Sequence, residues 1–135
     1  MATDYISFAA ADNIRLARSK HLLNVADDTY NIIQIPKYAF ITSVWLQVIT
    51  AYDTTGATVT IGWVGNGETA QPAGFMSADI AECTKVGLKR AVKDTNLDYE
   101  GKYFSDASGL VTLTSNKNSG TGGSLIVFVQ YSVIM

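Results

Sequence analysis

Phe40-Ile-Thr-Ser-Val-Trp-Leu-Gln-Val-Ile-Thr50 alternates with a period of two. Val44, Leu46 and Val48 fall on one face, and Ser43, Trp45, Gln47 and Ile49 fall on the other. Successive side chains of a strand point to opposite faces, so this spacing predicts a β-strand buried on one side, with Trp45 on a second, partly covered side. Ala57 to Val64 repeats the pattern, with Val59, Ile61 and Trp63 set against Thr58, Thr60 and Gly62. Tyr52-Asp-Thr-Thr-Gly56 between them has the Asp and Gly that a reversal demands, which predicts a hairpin of the two strands.

The same period extends in both directions. Downstream, Leu110 to Thr114 alternates after the turn Ser105-Asp-Ala-Ser-Gly109, and Asn116-Lys-Asn-Ser-Gly-Thr-Gly-Gly123 reads as a loop. Leu125 to Met135 places Leu125, Val127, Val129, Tyr131 and Val133 opposite Ile126, Phe128, Gln130, Ser132 and Ile134. Both faces are apolar in its first half, as in a strand covered on both sides by a sandwich or a subunit contact. Upstream, Tyr30-Asn-Ile-Ile-Gln-Ile35 reads as a strand stopped by Pro36, which has no N–H for a ladder. Asp12 to Leu23 reads as a short helix capped by Asp12 or as an irregular arm, and Met76 to Cys83, with Ser77 as cap, is the other helical candidate. Residues 1–28 are thus expected to form an N-terminal arm or docking segment that the sandwich does not need, and residues 29–135 a single β-sandwich domain.

Many short strands, Gly- and Asn-rich turns and little helix define an all-β sandwich or barrel. The single cysteine, Cys83, rules out the intersheet disulfide of immunoglobulin domains, which favours a jelly-roll-like antiparallel sandwich. A chain of 135 residues suffices for one such domain without a disulfide or metal. Charged residues make up 16%, against about 25% in an average soluble protein, and this leaves a surface suited to close contact with other protein. The net charge of -2 lacks the basic field of a nucleic-acid binder. No run approaches the ~20 apolar residues of a membrane-spanning helix, and the start Met1-Ala-Thr-Asp-Tyr-Ile-Ser-Phe8 lacks a signal-peptide pattern. The chain is therefore expected to stay in the cytosol or to leave it as part of something larger.

Catalytic patterns are sparse. His21 is the sole histidine, set among Arg18, Lys20 and Leu22, and reads better as a surface or interface residue than as a base. Cys83 stands outside any CxxC or Cys/His set and reads as a small buried hydrophobe. Asp27-Asp28 and Asp94…Asp98-Tyr-Glu100 lack the spacing of a calcium loop, and the first pair reads as a solvated turn before a strand. Gly62-Trp-Val-Gly-Asn-Gly67 does not match a phosphate loop and reads as a turn leaving its strand. Two basic clusters remain. Lys85, Lys89, Arg90 and Lys93 read as a solvated strand or a salt-bridged subunit contact, with Lys89 and Arg90 on opposite faces. Arg15, Arg18 and Lys20, beside Ile14 and Leu16, read as a docking element or as a helix packed on its own domain.

The stretch Ile33-Gln-Ile-Pro-Lys-Tyr-Ala-Phe-Ile-Thr-Ser-Val-Trp-Leu-Gln-Val-Ile-Thr50, then Gly56-Ala-Thr-Val-Thr-Ile-Gly62, Gly74-Phe75, Gly101-Lys-Tyr-Phe104 and Gly109-Leu-Val-Thr-Leu-Thr114, resembles the small capsid decoration (cement) proteins of tailed bacteriophages. The resemblance runs from Tyr30 to Met135 and consists of strand pattern and turn residues; the N-terminal segment falls outside it. It implies a non-enzymatic homotrimer on the outer surface of a phage head, made in the cytoplasm of the bacterial host and bridging neighbouring capsomers through the major capsid protein. Ile14, Arg15, Leu16, Arg18 and Lys20 are expected to dock on the capsid, and Ile126, Phe128 and Ile134, or the opposite face of that strand, to form the subunit interface. No cofactor, metal, nucleic acid, membrane or small-molecule substrate is expected. The alternative is a carbohydrate- or receptor-binding sandwich of a phage tail or head fibre, with Trp45, Trp63, Tyr38, Tyr52 and Tyr103 as stacking faces.

Overall fold

A computed structural model describes residues 14–22, 26–91 and 102–134. Within them the chain forms nine strands: β1 (Ile14–Leu22), β2 (Asp28–Ile35), β3 (Ala39–Thr50), β4 (Thr58–Gly65), β5 (Glu68–Met76), β6 (Gly87–Arg90), β7 (Lys102–Tyr103), β8 (Gly109–Asn116) and β9 (Ser124–Val133). Sheet 1 has the order β1-β9-β3-β6, with β7 pairing β3 beyond the end of β6, and sheet 2 has the order β2-β8-β4-β5. Every pairing is antiparallel. The strands β1, β3, β6 and β9 of one sheet interleave in sequence with β2, β4, β5 and β8 of the other, which is the winding of a jelly roll. The all-β sandwich expected from the sequence is what the chain adopts.

The core lies between the two sheets. Val44, Leu46, Val59, Ile61, Val111, Leu113, Val127 and Val129 are fully buried, and Val48 is 1% exposed. They come from β3, β4, β8 and β9, the central strands, and are the inward positions that the period of two selects. Phe75 and Phe104 complete the core. Trp63 is 5% exposed, its ring packed on Phe75 at 4.8 Å between centroids and close to Gly74, where an added Cβ would meet the indole at 2.2 Å.

Three local expectations differ from what forms, and a fourth element was not expected. First, β3 and β4 make no hairpin: β3 lies in sheet 1 and β4 in sheet 2, so their apolar faces meet across the core. Residues 51–57 span the roughly 10 Å between sheets instead of closing a tight turn. Tyr52 is buried in that crossing and its N–H donates to the Cys83 carbonyl at 2.9 Å. Second, Ile14–Leu22 is neither helix nor irregular arm but a strand paired with β9 along its length. Its inward positions are Ala17, Ser19 and His21, too small or polar to mark a buried face in the sequence. The cap Asp12 and Leu23 lie outside the described residues. Removing residues 1–25 would therefore take away an edge strand. Third, Met76 to Cys83 is not a helix: Met76 ends β5, and the Ser77 carbonyl accepts from Ile80 and Ala81 in a single turn. Fourth, Glu68–Met76 is a strand that no alternation announces. Pro72 suits its place at the sheet edge. The register jumps from Trp63↔Gln71 to Ile61↔Met76, and the surplus residues arch over Gly62, where a Cβ would lie 1.8 Å from the Gln71 carbonyl oxygen.

Candidate docking face

The outer face of sheet 1 is built by the same alternation that buries Val44, Leu46, Val127 and Val129, since the residues between them must point away from the core. Its rows follow from the register. Arg18 on β1 lies opposite Phe128 on β9, Phe128 opposite Trp45 on β3, and Trp45 opposite Arg90 on β6. A cation thus stands at each edge with two aromatic rings between them, and the Arg90 guanidinium lies 5.9 Å from the Trp45 ring centroid. The next row runs Lys20, Ile126, Gln47, Leu88.

Large exposed apolar side chains gather here. Ile14, Leu16, Ile49, Val86, Leu88 and Ile134 are between 45% and 66% exposed, and all lie on sheet 1 strands or directly beside them. None among the described residues lies on sheet 2. The outer face of sheet 2 carries more polar groups: Thr29, Thr114 and Thr60 form a cross-strand row, with the first two hydroxyls 2.9 Å apart, beside a row of Gln34, Leu110 and Val64.

Charge is segregated in the same way. The strands of sheet 1 carry Arg15, Arg18, Lys20, Lys89, Arg90 and Lys102 and no carboxylate. The strands of sheet 2 carry Asp28 and Glu68 and no cation. Lys102 is spent on Glu68, whose carboxylate also accepts from the Trp63 indole N–H at 2.7 Å. The Lys102 bond, then that of Trp63, holds the Glu68 carboxyl below the usual carboxylate range. Lys89 donates to the Lys85 carbonyl at 2.7 Å. Arg18 and Lys20 make no ion pair among the described residues.

The residues named from sequence fall as follows. Leu16, Arg18 and Lys20 share the outer face with Ile126 and Phe128, so two patches assigned to different roles form one surface. Arg15 lies opposite Tyr131, on the other side of β1 from Leu16 and Arg18, and its guanidinium donates to the Ile14 carbonyl. Ile134 leaves the end of β9, its N–H donating to Tyr38 and its carbonyl accepting from the Tyr103 hydroxyl at 2.6 Å. Leu88 joins the face unannounced by the sequence, while Arg90 reaches it through the expected placement of Lys89 and Arg90 on opposite faces of a strand, which β6 realises.

The residues weighed for catalysis lie apart. His21 is 7% exposed and packs on Tyr30 at 5.3 Å between ring centroids, so it is not a surface histidine. Burial lowers its pKa. Cys83 is 2% exposed, its thiol donates to the Ala57 carbonyl at 3.3 Å, and burial pushes its pKa up to about 11. Asp53 accepts from the N–H groups of Gly122 and Thr121 and ties down the β8–β9 loop, which holds its carboxyl below the usual range. Asp27 accepts from the Lys117 N–H at 2.8 Å, as a turn residue does. Lys93, Asp94, Asp98 and Glu100 lie outside the described residues. Among the described residues no three His, Cys, Asp or Glu side chains are grouped to hold a metal. Of the five rings weighed for sugar stacking, Trp63 and Tyr52 are in the core, and Tyr103 packs on Phe40 at 6.5 Å.

This architecture is found in known particles. A chain of the acid-stable capsid of Helicobacter pylori bacteriophage KHP30 superposes with a TM-score of 0.63 at 17% identity, covering 89% of this chain and 87% of that one. A chain of the cyanophage Pam1 capsid asymmetric unit gives 0.67 at 16%, covering 90% and 86%. A chain of the Ralstonia phage GP4 capsid gives 0.63 at 13%, covering 91% and 86%. No family model matches the sequence, and no curated protein matches it. The chain therefore shares the fold of phage capsid chains over nearly its whole length.

Proposed function

We propose that this chain is a structural virion protein: a homotrimer that decorates the outside of a phage head and ties neighbouring capsomers together. The observation that carries this reading is the fold held in common with chains of three phage capsids over 89–91% of this chain. Two further features support it. The described side chains build a face with exposed apolar groups and cations at its edges, and His21 and Cys83 are buried in separate places. The face also extends across the segment expected to dock and the strand expected to join subunits.

A trimer presents three copies of that face at once, which raises avidity without strengthening any single contact. It also closes on itself and leaves no open, filament-forming surface. Sedimentation equilibrium tests this part directly: a species of three times the monomer mass is expected at micromolar concentration, with a melting temperature that rises with protein concentration. A monomer that persists at high micromolar concentration contradicts the trimer.

A further inference from the structure

The face on sheet 1 has a chemistry that restricts its partner. Its middle carries Ile126, Phe128 and Trp45 on the two central strands, with Gln47 beside them. Its edges are cationic, with Arg18 and Lys20 on β1 and Arg90 on β6. Strands lie about 4.8 Å apart, so the row from Arg18 to Arg90 spans about 14 Å. No carboxylate stands on these strands to neutralise it.

We infer that the outer face of sheet 1 docks a surface of another protein, not a second copy of this chain, and that this surface carries carboxylates around an apolar centre. The inference rests on the head-binding reading above and names the docking surface and the chemistry of its capsid partner. A second copy fits poorly in either orientation. Sheet 1 against sheet 1 sets Arg18, Lys20 and Arg90 against like charges, which costs energy wherever they are desolvated. Sheet 2 of a second copy offers a threonine row where the face is apolar, and with Glu68 already bound by Lys102 and Trp63 its strands leave the single carboxylate of Asp28 for three cations. A nucleic acid would bind through phosphates, and Ile126, Phe128 and Leu88 lie where phosphates gain nothing. A protein surface with an apolar middle and an acidic rim satisfies both halves of the face. The trimer contact then falls elsewhere.

The test uses heads purified from the phage that encodes this chain and freed of it. Wild-type protein, Arg18→Glu/Lys20→Glu, Leu88→Asp and a sheet 2 control, Gln34→Glu, are titrated onto them across a salt series. Gln34 is exposed on β2, and Leu88 is 66% exposed, so neither substitution disturbs the core; circular dichroism confirms the fold of each variant. Both sheet 1 variants are expected to bind about tenfold or more weakly, which is ~1.4 kcal/mol or more. The control is expected to bind as wild type. Wild-type affinity should fall as salt rises, and the charge reversal should flatten that dependence. Wild-type binding with unchanged sheet 1 variants overturns this inference and leaves head binding standing. Failure of the wild type to bind any head overturns both. Loss of the trimer in the sheet 1 variants by sedimentation makes the face a copy-to-copy contact and overturns the inference, as does wild-type binding to double-stranded DNA that the same substitutions abolish.

Discussion

The His21 imidazole lies inside the sandwich against Tyr30, and its Nε2 finds no hydrogen-bond partner among the described residues. Burial disfavours the protonated ring, so its pKa falls below the ordinary 6.5. The unfolded chain then binds a proton that the folded chain refuses, and stability declines as pH falls through 6.5 towards the folded value. Above 6.5 the ring is neutral in both states and contributes nothing to the pH dependence. Urea unfolding from pH 8 to pH 5 is expected to show this decline in the wild type and a flatter profile for His21→Gln in the same window. Parallel profiles would mean that His21 is hydrated in the folded protein. This burial was not legible in the sequence, because Lys20 and Arg18 point to the opposite face of the strand while sitting beside His21 in the chain. Cys83 was legible, since an isolated cysteine with no partner pattern is most often a small buried side chain.

At the scale of elements, the central strands and the edge strand β2 were readable, and the edges β1 and β5 were not. β3, β4, β8 and β9 are covered on their inner faces, and Val, Ile and Leu mark those faces without ambiguity. Leu46 and Leu113 are fully buried on opposite sheets, so truncating either to Ala should cost about 2–5 kcal/mol of stability by chemical denaturation. A loss well below 1 kcal/mol at both would mean the core is assigned to the wrong faces. β1 and β5 are edges, where one side of the ladder is open and the inward residues can be small or polar. Their sequences therefore lack the alternation that a half-buried strand needs, and Pro72 speaks against a strand unless the edge position is known. The β3–β4 hairpin failed for a different reason. Turn residues show that the chain reverses but not whether it returns to the same sheet or crosses to the other, and the burial of Tyr52 in the crossing is a tertiary fact.

For the whole molecule, the segregation of charge is the property that no local pattern announces. A net charge of -2 conceals a sheet whose strands carry only cations and a second whose strands carry only carboxylates. The jelly roll produces this by winding the chain back and forth between the sheets, so residues distant in sequence such as Arg18 and Arg90 come to flank one face. The fold held in common with phage capsid chains gives that face its proposed setting, a particle surface built of other protein. Electron cryomicroscopy of heads from the encoding phage tests this most directly. The account predicts sandwiches in groups of three on the outer surface of the head, with sheet 1 turned towards the shell. Heads that lack the sandwich altogether, or carry it only on tail or fibre, would contradict it.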